Sequence, residues 1–224
     1  MDLYATKSAG KTPQLVWLVA QLVLLGISYW ILFPGGDDLK GYSGFMEKAS
    51  RVTICIFNLT TFIRLIFTLF VFIKRSIPAE EAVSVIVAFA LYFVGFSILT
   101  VNGTIMAPIG LTIGIALFVV GCYFNTYSEF QRLRWKRDRT NFRRVFTGGL
   151  FGLSRHPNYF GDCLWVLGYA VVTGNSWAYA IPVALFAFFL FYNIPLQERH
   201  MTEKYGGEYM EYSRRVKKLV PFIV

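Results

Sequence analysis

The chain of 224 residues carries 22 Lys and Arg against 13 Asp and Glu, a net charge of +9, yet 55% of its residues are hydrophobic, 18% are aromatic and only 16% are charged. This composition excludes an ordinary soluble domain and a disordered chain, and it is typical of an integral membrane protein. At roughly 20 residues a span there is room for about five to seven transmembrane helices and little else, so we expect a single membrane domain over residues 1–224.

Six apolar segments follow one another along the chain, and each predicts a membrane-spanning helix. The segments are Leu15–Phe33, Ala49–Ile73, Ala82–Val101, Ile105–Phe124, Tyr159–Thr173 and Ser176–Pro195, of which the fifth is short. The expected fold class is therefore all-α, a polytopic membrane helix bundle of about six transmembrane helices.

The basic residues concentrate in the segments that join these spans on one side. If the N-terminus faces the inside, segments 1–14, 74–81, 127–157 and 197–224 hold 18 of the 22 Lys and Arg, the outside segments hold three, and Arg64 lies within a span. This asymmetry follows the positive-inside rule and predicts both termini and the 127–157 segment on one side. Membrane topology accounts for most of the net charge, so no nucleic-acid partner is predicted.

The segment 149–162, GLFGLSRHPNYFGD, places a cation, an imidazole, an amide and a carboxylate directly against the fifth apolar run. Polar groups at membrane depth are costly unless they line a cavity, so this segment predicts a site. The preceding segment is dense in basic residues, with Arg132 and Lys136 one helical turn apart. Such a cluster suits the phosphates of a lipid or cofactor, and its alternative role is to anchor the topology.

The C-terminal segment 197–224 mixes charged and aromatic residues at helical spacing. It predicts an amphipathic helix on the bilayer surface, or a segment that folds back over the preceding loop and encloses a pocket. The cysteines Cys55, Cys122 and Cys163 lie within or beside apolar runs, where they predict core packing. With two histidines and no paired spacing, no metal site is predicted.

From Gln131 to the C-terminus the chain resembles the C-terminal domain of the steroid 5-alpha-reductase superfamily, which includes steroid, trans-2-enoyl-CoA and sterol reductases. The pattern recurs as QxxRxK at 131–136, Asn141, Gly149-Leu150, SRHPNYFGD at 154–162, Glu198, Lys204-Tyr205-Gly206, Tyr212, Val216 and Pro221-Phe222-Ile223. The resemblance extends more weakly upstream, through residues 62–71 and Asn102-Gly103.

This resemblance implies a multi-helix membrane fold that binds NADPH at its inside-facing end. Arginine and lysine suit phosphates, an amide suits a carboxamide or ribose, and a carboxylate suits a hydroxyl. The cofactor contacts implied residue by residue are Arg132, Lys136, Arg155, Asn158, Asp162, Glu198 and Tyr212. The residues expected in the substrate cavity are Thr61, Arg64 and Asn102.

Isoprenylcysteine carboxyl methyltransferases and phospholipid methyltransferases resemble the chain as well. They share the Arg-His-Pro-x-Tyr-x-Gly element found at 155–161 and a similar tail rich in glutamate and tyrosine, and they bind S-adenosylmethionine. The QxxRxK segment and the Asn and Asp that follow it favour the reductase over the methyltransferase.

The chain departs from the reductase pattern where a substrate carbonyl would be activated. Reductases of this superfamily carry a tyrosine, usually beside a histidine, a few residues before the arginine matched by Arg64, and it acts as the acid toward that carbonyl. This chain reads NLTTFIR at 58–64. The hydroxyl of Thr61 is a much weaker acid than a phenol, so no catalytic residue is assigned.

Three functions remain open. The first is an NADPH-dependent reductase of a lipid enone or enoyl thioester, whose acid the sequence does not reveal. The second is a methyltransferase that uses S-adenosylmethionine on a lipidic acceptor. The third is a catalytically silent member of the fold without a cofactor, serving as a structural or lipid-binding subunit of a larger membrane complex. The expected location is the endoplasmic reticulum or the mitochondrial inner membrane in a eukaryote, or the plasma membrane in a bacterium.

Overall fold

The computed structural model describes residues 12–35, 44–72 and 79–223, and within them the chain forms nine α-helices. These are α1 (Thr12–Leu32), α2 (Phe45–Phe67), α3 (Ala79–Ala90), α4 (Phe96–Val101), α5 (Pro108–Arg137), α6 (Pro157–Thr173), α7 (Ala180–Phe188), α8 (Ile194–Tyr205) and α9 (Gly207–Arg215). No strand occurs in this described part of the chain, so the all-α prediction is confirmed.

Five helical stretches are long and apolar enough to cross a membrane. They are Leu15–Leu32, Phe45–Phe72, Ala82–Val101, Pro108–Arg137 and Ser176–Tyr205. The chain is therefore a polytopic integral membrane protein. The predicted short fifth span is the helix α6, whose 17 residues are somewhat fewer than the roughly 20 of a typical span.

Two spans run further than their apolar segments predict. Helix α5 continues past Phe124 to Arg137 because neither glycine nor proline interrupts the chain after Gly121. It carries its basic residues out of the apolar region on a continuous helix. The last span continues past Pro195, which follows a π-helical turn at Phe189–Asn193 and occupies the first turn of α8, where a missing N–H costs little.

The structure divides into two compact units. The first comprises Met1–Thr112 and Tyr169–Ala178, and the second comprises Ile113–Gly168 and Tyr179–Val224. The single domain expected over residues 1–224 stays a prediction.

In the first unit, α1 packs against α2, α3 and α4. At one end of this contact Trp17 forms an apolar cluster with Leu65 and Leu69. Further along, the contact is polar, since the amide of Asn58 donates to the hydroxyl of Ser28 over 2.6 Å. Packing among the spans therefore combines an apolar cluster with side-chain hydrogen bonds, as is common in membrane bundles.

In the second unit, α5 and α6 approach each other backbone to backbone. A Cβ added at Gly121 would lie 2.3 Å from the backbone nitrogen of Trp165, and one added at Gly161 would lie 2.4 Å from that of Asn125. Two turns further along, a Cβ at Gly168 would lie 2.7 Å from the carbonyl oxygen of Gly114. Only glycine permits this approach, so the motif residue Gly161 has a packing role.

Candidate functional site

The segment between α5 and α6 is fixed to α5 by Gln131. The Oε1 atom of Gln131 accepts a hydrogen bond from the backbone N–H of Leu150 over 3.1 Å. Gly149 adopts a φ of +58°, and a Cβ there would lie 2.2 Å from Nε2 of Gln131. The motif residues Gln131 and Gly149 thus belong to one contact. It positions the turn Gly149–Gly152, which leads into residues 153–157, the polar segment.

The residues that follow α9, 216–223, form a C-terminal tail that pairs with the polar segment through backbone groups. The N–H of Arg155 donates to the carbonyl of Lys217 over 2.9 Å, and the N–H of His156 donates to that of Lys218 over 3.1 Å. The hydroxyl of Ser154 donates to the carbonyl of Leu219 over 2.8 Å. The tail therefore folds back over this segment, which is the second of the two arrangements that its sequence allows.

The buried guanidinium of Arg155 connects the polar segment with both α8 and the end of α9. It donates to the carbonyl of Val216 over 2.8 Å, to the carbonyl of Ser213, and to the carboxylate of Glu198, with which it forms an ion pair. Its Nε atom has no hydrogen-bond partner among the described residues. Arg155 thus holds the tail in place while its charge is offset by Glu198.

His156 lies beside this ion pair and is almost wholly buried. Its Nε2 atom is 3.7 Å from Oε1 of Glu198, and its ring stacks on Tyr159 at 5.4 Å between centroids. Burial lowers the pKa of His156, and the neighbouring Glu198 opposes that shift while the charge of Arg155 adds to it. The imidazole is therefore neutral at neutral pH.

A cavity of about 520 Å³ opens beside Arg155, between α8, α9 and the tail. Its size is within the usual range for a cofactor or ligand site. Burial raises the pKa of Tyr209, which lines this cavity, to about 12, so its phenol remains a hydrogen-bond donor. The charged residues of the lining are Arg155, Glu198, Arg214, Lys217 and Lys218.

Of the residues implied as cofactor contacts, Arg155 and Glu198 line this cavity. Asp162 instead faces α5. Its carboxylate accepts a hydrogen bond from the amide of Asn125 on α5 over 2.8 Å and one from the indole of Trp165, on its own helix, over 2.7 Å. Asn125 also donates to the backbone carbonyl of Asn158 over 3.3 Å. The structure thus brings Arg155 and Glu198 together, and it brings Asn158 and Asp162 to Asn125.

The other three implied contacts surround this arrangement. The phenol of Tyr212 donates to the carbonyl of Phe151 over 2.6 Å, and burial raises its pKa. Arg132 forms an ion pair with Glu129. Lys136 is exposed, and its positive charge is repelled by that of Arg132. Tyr212 therefore fastens α9 to the turn Gly149–Gly152, while Arg132 and Lys136 present positive charge at the end of α5.

A second cavity, of about 500 Å³, lies against the end of α5. The rings of Trp135 and Phe146, 5.3 Å apart, form part of its wall, and Arg134 and Asp138 supply charged groups. Hydrogen bonds from Thr140 lower the pKa of Asp138, so this carboxylate is ionised at neutral pH. The cavity can accommodate a planar ring against its aromatic wall.

The residues expected in a substrate cavity lie in the first unit. The hydroxyl of Thr61 is 3.3 Å from the phenolic oxygen of Tyr169. The exposed Asn102 donates to the carbonyl of Ile98 over 2.8 Å and so ends α4. Arg64 is half-buried in the last turn of α2. Among the residues that the structure describes, Asn102 and Thr61 have no hydrogen-bond partner in common.

Sequence reasoning missed Tyr169, Asn125, Gln21 and Asn58. Each is a polar side chain within or at the edge of an apolar run, and such a residue inside a membrane span is a functional hypothesis by default. That signal was present in the sequence, but the contact of Tyr169 with Thr61 joins residues 108 positions apart and depends on the packing of the helices.

These features define a class, the polytopic all-α membrane proteins with a cation-lined cavity whose wall includes the C-terminal tail. A sequence profile with the description "Protein of unknown function (DUF1295)" matches residues 56–216, and the chain belongs to this family.

Proteins of two kinds are similar to the chain, O-methyltransferases and a steroid dehydrogenase. It is 34% identical over 86 residues to "Protein-S-isoprenylcysteine O-methyltransferase B" of Arabidopsis thaliana (38% of this chain, 43% of the relative). It is 28% identical over 115 residues to "3-oxo-5-alpha-steroid 4-dehydrogenase 2" of Homo sapiens (51% and 43%). It is also 32% identical over 105 residues to "Probable O-methyltransferase ustE" of Ustilaginoidea virens (46% and 37%). The matches span about two fifths of the length of these relatives, and both resemblances inferred from the sequence are confirmed.

Proposed function

We propose that this protein is a membrane-embedded reductase that uses NADPH to reduce a lipid enone or an enoyl thioester. The observation that carries the proposal is the charge of the cavity beside Arg155. Four cationic side chains line it against one carboxylate, Glu198, which is already paired with Arg155. Such a surface attracts a polyanion. NADPH carries a diphosphate and a 2′-phosphate, whereas S-adenosylmethionine carries no phosphate.

The side chains of the cavity have the chemistry to hold such a cofactor. Arg214, Lys217 and Lys218 can pair with its phosphates, and the protonated phenol of Tyr209 can donate to a phosphate or ribose oxygen. NADPH, when bound, supplies the hydride for the reduction. Because the tail provides two of these lysines, its pairing with the polar segment maintains the cavity wall.

Arg155 has a positioning role in this proposal. It binds backbone carbonyls at the end of α9, so the cationic residues of the tail are held beside Glu198. The charge cluster of Arg132 and Lys136 offers further contacts for a phosphate. The roles of Asn158 and Asp162 as cofactor contacts stay predictions, since Asn125 binds the carboxylate of Asp162 and the backbone carbonyl of Asn158.

The proposal is tested by equilibrium binding of NADPH, NADH and S-adenosylmethionine to the purified protein in detergent. We expect NADPH to bind more tightly than NADH, because the cavity offers cations for the 2′-phosphate. Lys217→Gln and Arg214→Gln should each weaken NADPH binding by about tenfold or more, as expected for a lost charge-assisted contact. Arg199→Gln, an exposed cation outside the cavity lining, is the matched control and should bind NADPH as the unaltered protein does.

A methyltransferase is the second proposal, supported by the similarity to the isoprenylcysteine and ustE methyltransferases. Tight binding of S-adenosylmethionine without binding of NADPH would favour it and contradict the reductase. If neither ligand binds and the protein purifies within a stable membrane complex, a structural or lipid-binding subunit becomes the better conclusion. Assignment to the endoplasmic reticulum, a mitochondrial inner membrane or a bacterial plasma membrane likewise stays a proposal.

A further inference from the structure

One face of α5 is apolar and exposed along most of the span, and it leads to the second cavity. Ile113, Val120, Tyr123 and Tyr127 recur at intervals that place them on this face, and their side chains are all exposed. Another side of the helix, which carries Gly121, packs against α6. Because α5 is long and apolar enough to cross a membrane, its exposed face lies against lipid.

Aromatic rings mark the place where this exposed face leaves the apolar region. The rings of Tyr123 and Tyr127 stack at 5.1 Å between centroids, and the ring of Phe130 follows at 6.5 Å from that of Tyr127. Tyrosine is enriched where a span meets the headgroup layer of a bilayer. The cavity of about 500 Å³ begins at the same place, since Tyr127 and Phe130 belong to its lining. The cavity therefore lies at the level of the lipid headgroups.

The charged side chains in the lining of this cavity are one cation and one anion, Arg134 and Asp138. Arg134 is exposed in the last turn of α5 and has no hydrogen-bond or ion-pair partner among the described residues. Helical side chains tilt toward the N-terminal end of their helix, which for α5 is the membrane side. Asp138 lies further from the membrane, and the two hydrogen bonds from Thr140 both reach its Oδ1 atom, over 2.9 and 2.7 Å.

The wall beside these two charges is aromatic. The amide of Asn141 donates to the backbone carbonyl of Trp135 over 3.1 Å, which fastens the chain after α5 to the end of the helix. The ring of Phe146 then lies 5.3 Å from that of Trp135. Aromatic faces attract organic cations, and quaternary ammonium groups are commonly bound in this way.

We propose that this cavity binds the headgroup of one zwitterionic phospholipid from the surrounding bilayer. Arg134 pairs with the phosphate, and Asp138 pairs with the ammonium group beside the rings of Trp135 and Phe146. The acyl chains lie along the exposed face of α5. The order of groups along the helix, apolar face, cation and anion, complements the order of acyl chain, phosphate and ammonium in the lipid.

This lipid site is independent of the proposed cofactor site. The cavity beside Arg155 and the cavity at the end of α5 share no lining residue. The first is lined by four cations and one carboxylate, which suits a polyanion, whereas the charges of the second balance. A lipid with a net negative charge would place no cation beside Asp138, so the balanced cavity favours a zwitterion.

The test is a titration of the purified protein in detergent, followed by native mass spectrometry of the bound lipid. The probes are phosphatidylcholine, phosphatidylethanolamine and phosphatidylglycerol with identical acyl chains. We expect one zwitterionic lipid to bind about fivefold or more tightly than phosphatidylglycerol. Arg134→Gln should weaken binding of that lipid about fivefold to tenfold, because it removes the cation that pairs with the phosphate.

Asp138→Asn tests the selectivity of the site. Asparagine can still accept the hydrogen bonds from Thr140, so this variant removes the charge and keeps the turn. It should lose the preference for the zwitterionic lipid over phosphatidylglycerol. Arg137→Gln and Glu203→Gln are the matched controls, since both residues are exposed and lie outside the lining, and each should bind lipid as the unaltered protein does.

Glycerophosphocholine separates a membrane lipid from a soluble phosphate ester, because it carries the headgroup without acyl chains. It should compete poorly with the phospholipid, since it lacks the contact with the exposed face of α5. Equal affinity for the three lipids, tighter binding of phosphatidylglycerol, or a preference that persists in Asp138→Asn overturns the inference. Equal competition by glycerophosphocholine would likewise contradict a lipid as the occupant.

Discussion

At the scale of single residues, His156 illustrates how burial sets the chemistry of this site. Its imidazole stacks on Tyr159, which in turn stacks on Phe189 at 4.4 Å, so the ring is enclosed on one side by aromatic surface. Its polar neighbour is the carboxylate of Glu198, which is already paired with Arg155. Burial disfavours a second cation at position 156, and although Glu198 opposes that effect, the positive charge of Arg155 adds to it.

The lowered pKa of His156 predicts how stability changes with pH. Because the pKa is below its usual 6.5 in the folded protein, the unfolded chain binds more protons, and stability falls as the pH drops below about 6.5. His156→Gln removes this titration, so the midpoint of thermal unfolding in detergent should fall less between about pH 7.5 and about pH 5 than it does in the unaltered protein. His200→Gln controls for the loss of an imidazole elsewhere, and an unchanged pH slope in His156→Gln would contradict the assignment.

The structure brings together two of the site residues that the sequence predicts, and it places others apart from them. Arg155 and Glu198 form an ion pair although they are 43 positions apart. Asp162 is close to Arg155 in sequence, yet α6 begins at Pro157 between them, and the carboxylate of Asp162 lies toward α5. The direction of a side chain at a helix start depends on the neighbouring helix, which a spacing rule does not contain.

At the scale of elements, the contact between α5 and α6 determines where the polar segment begins. The glycines at 121 and 161 let the two backbones touch, and this approach brings the amide of Asn125 to the carboxylate of Asp162. The sequence revealed Gly161 only as a motif residue. Its packing role depends on Gly121 in the other helix, and that pairing is a property of the assembled unit.

Gly121→Ala should therefore destabilise the second unit. The new Cβ would lie 2.3 Å from the backbone nitrogen of Trp165, and a backbone atom cannot move aside as a side chain can. We expect a loss of about 1–3 kcal/mol, as for other overpacked contacts, measured as a lower midpoint of thermal unfolding in detergent.

The control for this change is Gly26→Ala, an exposed helical glycine of α1 whose added Cβ would meet nothing within 4 Å. Alanine favours a helix over glycine, so this variant should be neutral or slightly more stable, by about 0.5–1 kcal/mol at most. Equal stability of Gly121→Ala and Gly26→Ala would mean that α5 and α6 do not depend on a glycine contact.

The boundaries of the spans show what the sequence does and does not determine at this scale. The thickness of the hydrocarbon layer sets the length that an apolar run needs to span it. The positions of the spans were therefore predictable from the apolar runs of the sequence. The ends of α5 and of the last span were not, because a helix continues past the membrane wherever local propensity supports it. The extended end of α5 matters for function, since it fixes Arg132 and Lys136 on a rigid element.

At the scale of the whole molecule, the two units carry different chemistry. The second unit holds a cavity lined by cations, and the first holds neutral donors among apolar residues. The sequence indicated the first of these through its basic motifs. It did not indicate the second, because polar residues of separate helices come into contact only when the helices pack.

The orientation of the molecule in its membrane is predicted by charge. The segments assigned to the inside hold 18 of the 22 Lys and Arg, and positive residues are retained on that side during insertion. We expect a single cysteine at Thr140, in the exposed segment after α5, or at Met210, exposed on α9, to react with a membrane-impermeant maleimide from the inside only. A cysteine at Ile105, exposed before α5, should react from the outside only.

The measurement uses sealed vesicles of known orientation and a background in which the three native cysteines are replaced by serine. None of the three labelled positions carries a charge, so the substitutions leave the charge asymmetry intact. Labelling of Thr140→Cys and Ile105→Cys from one face would show that α5 does not span the membrane. Labelling of Met210→Cys from the face opposite to Thr140→Cys would separate the tail from the segment that it pairs with, and the cation-lined cavity built from the two would not exist in the membrane.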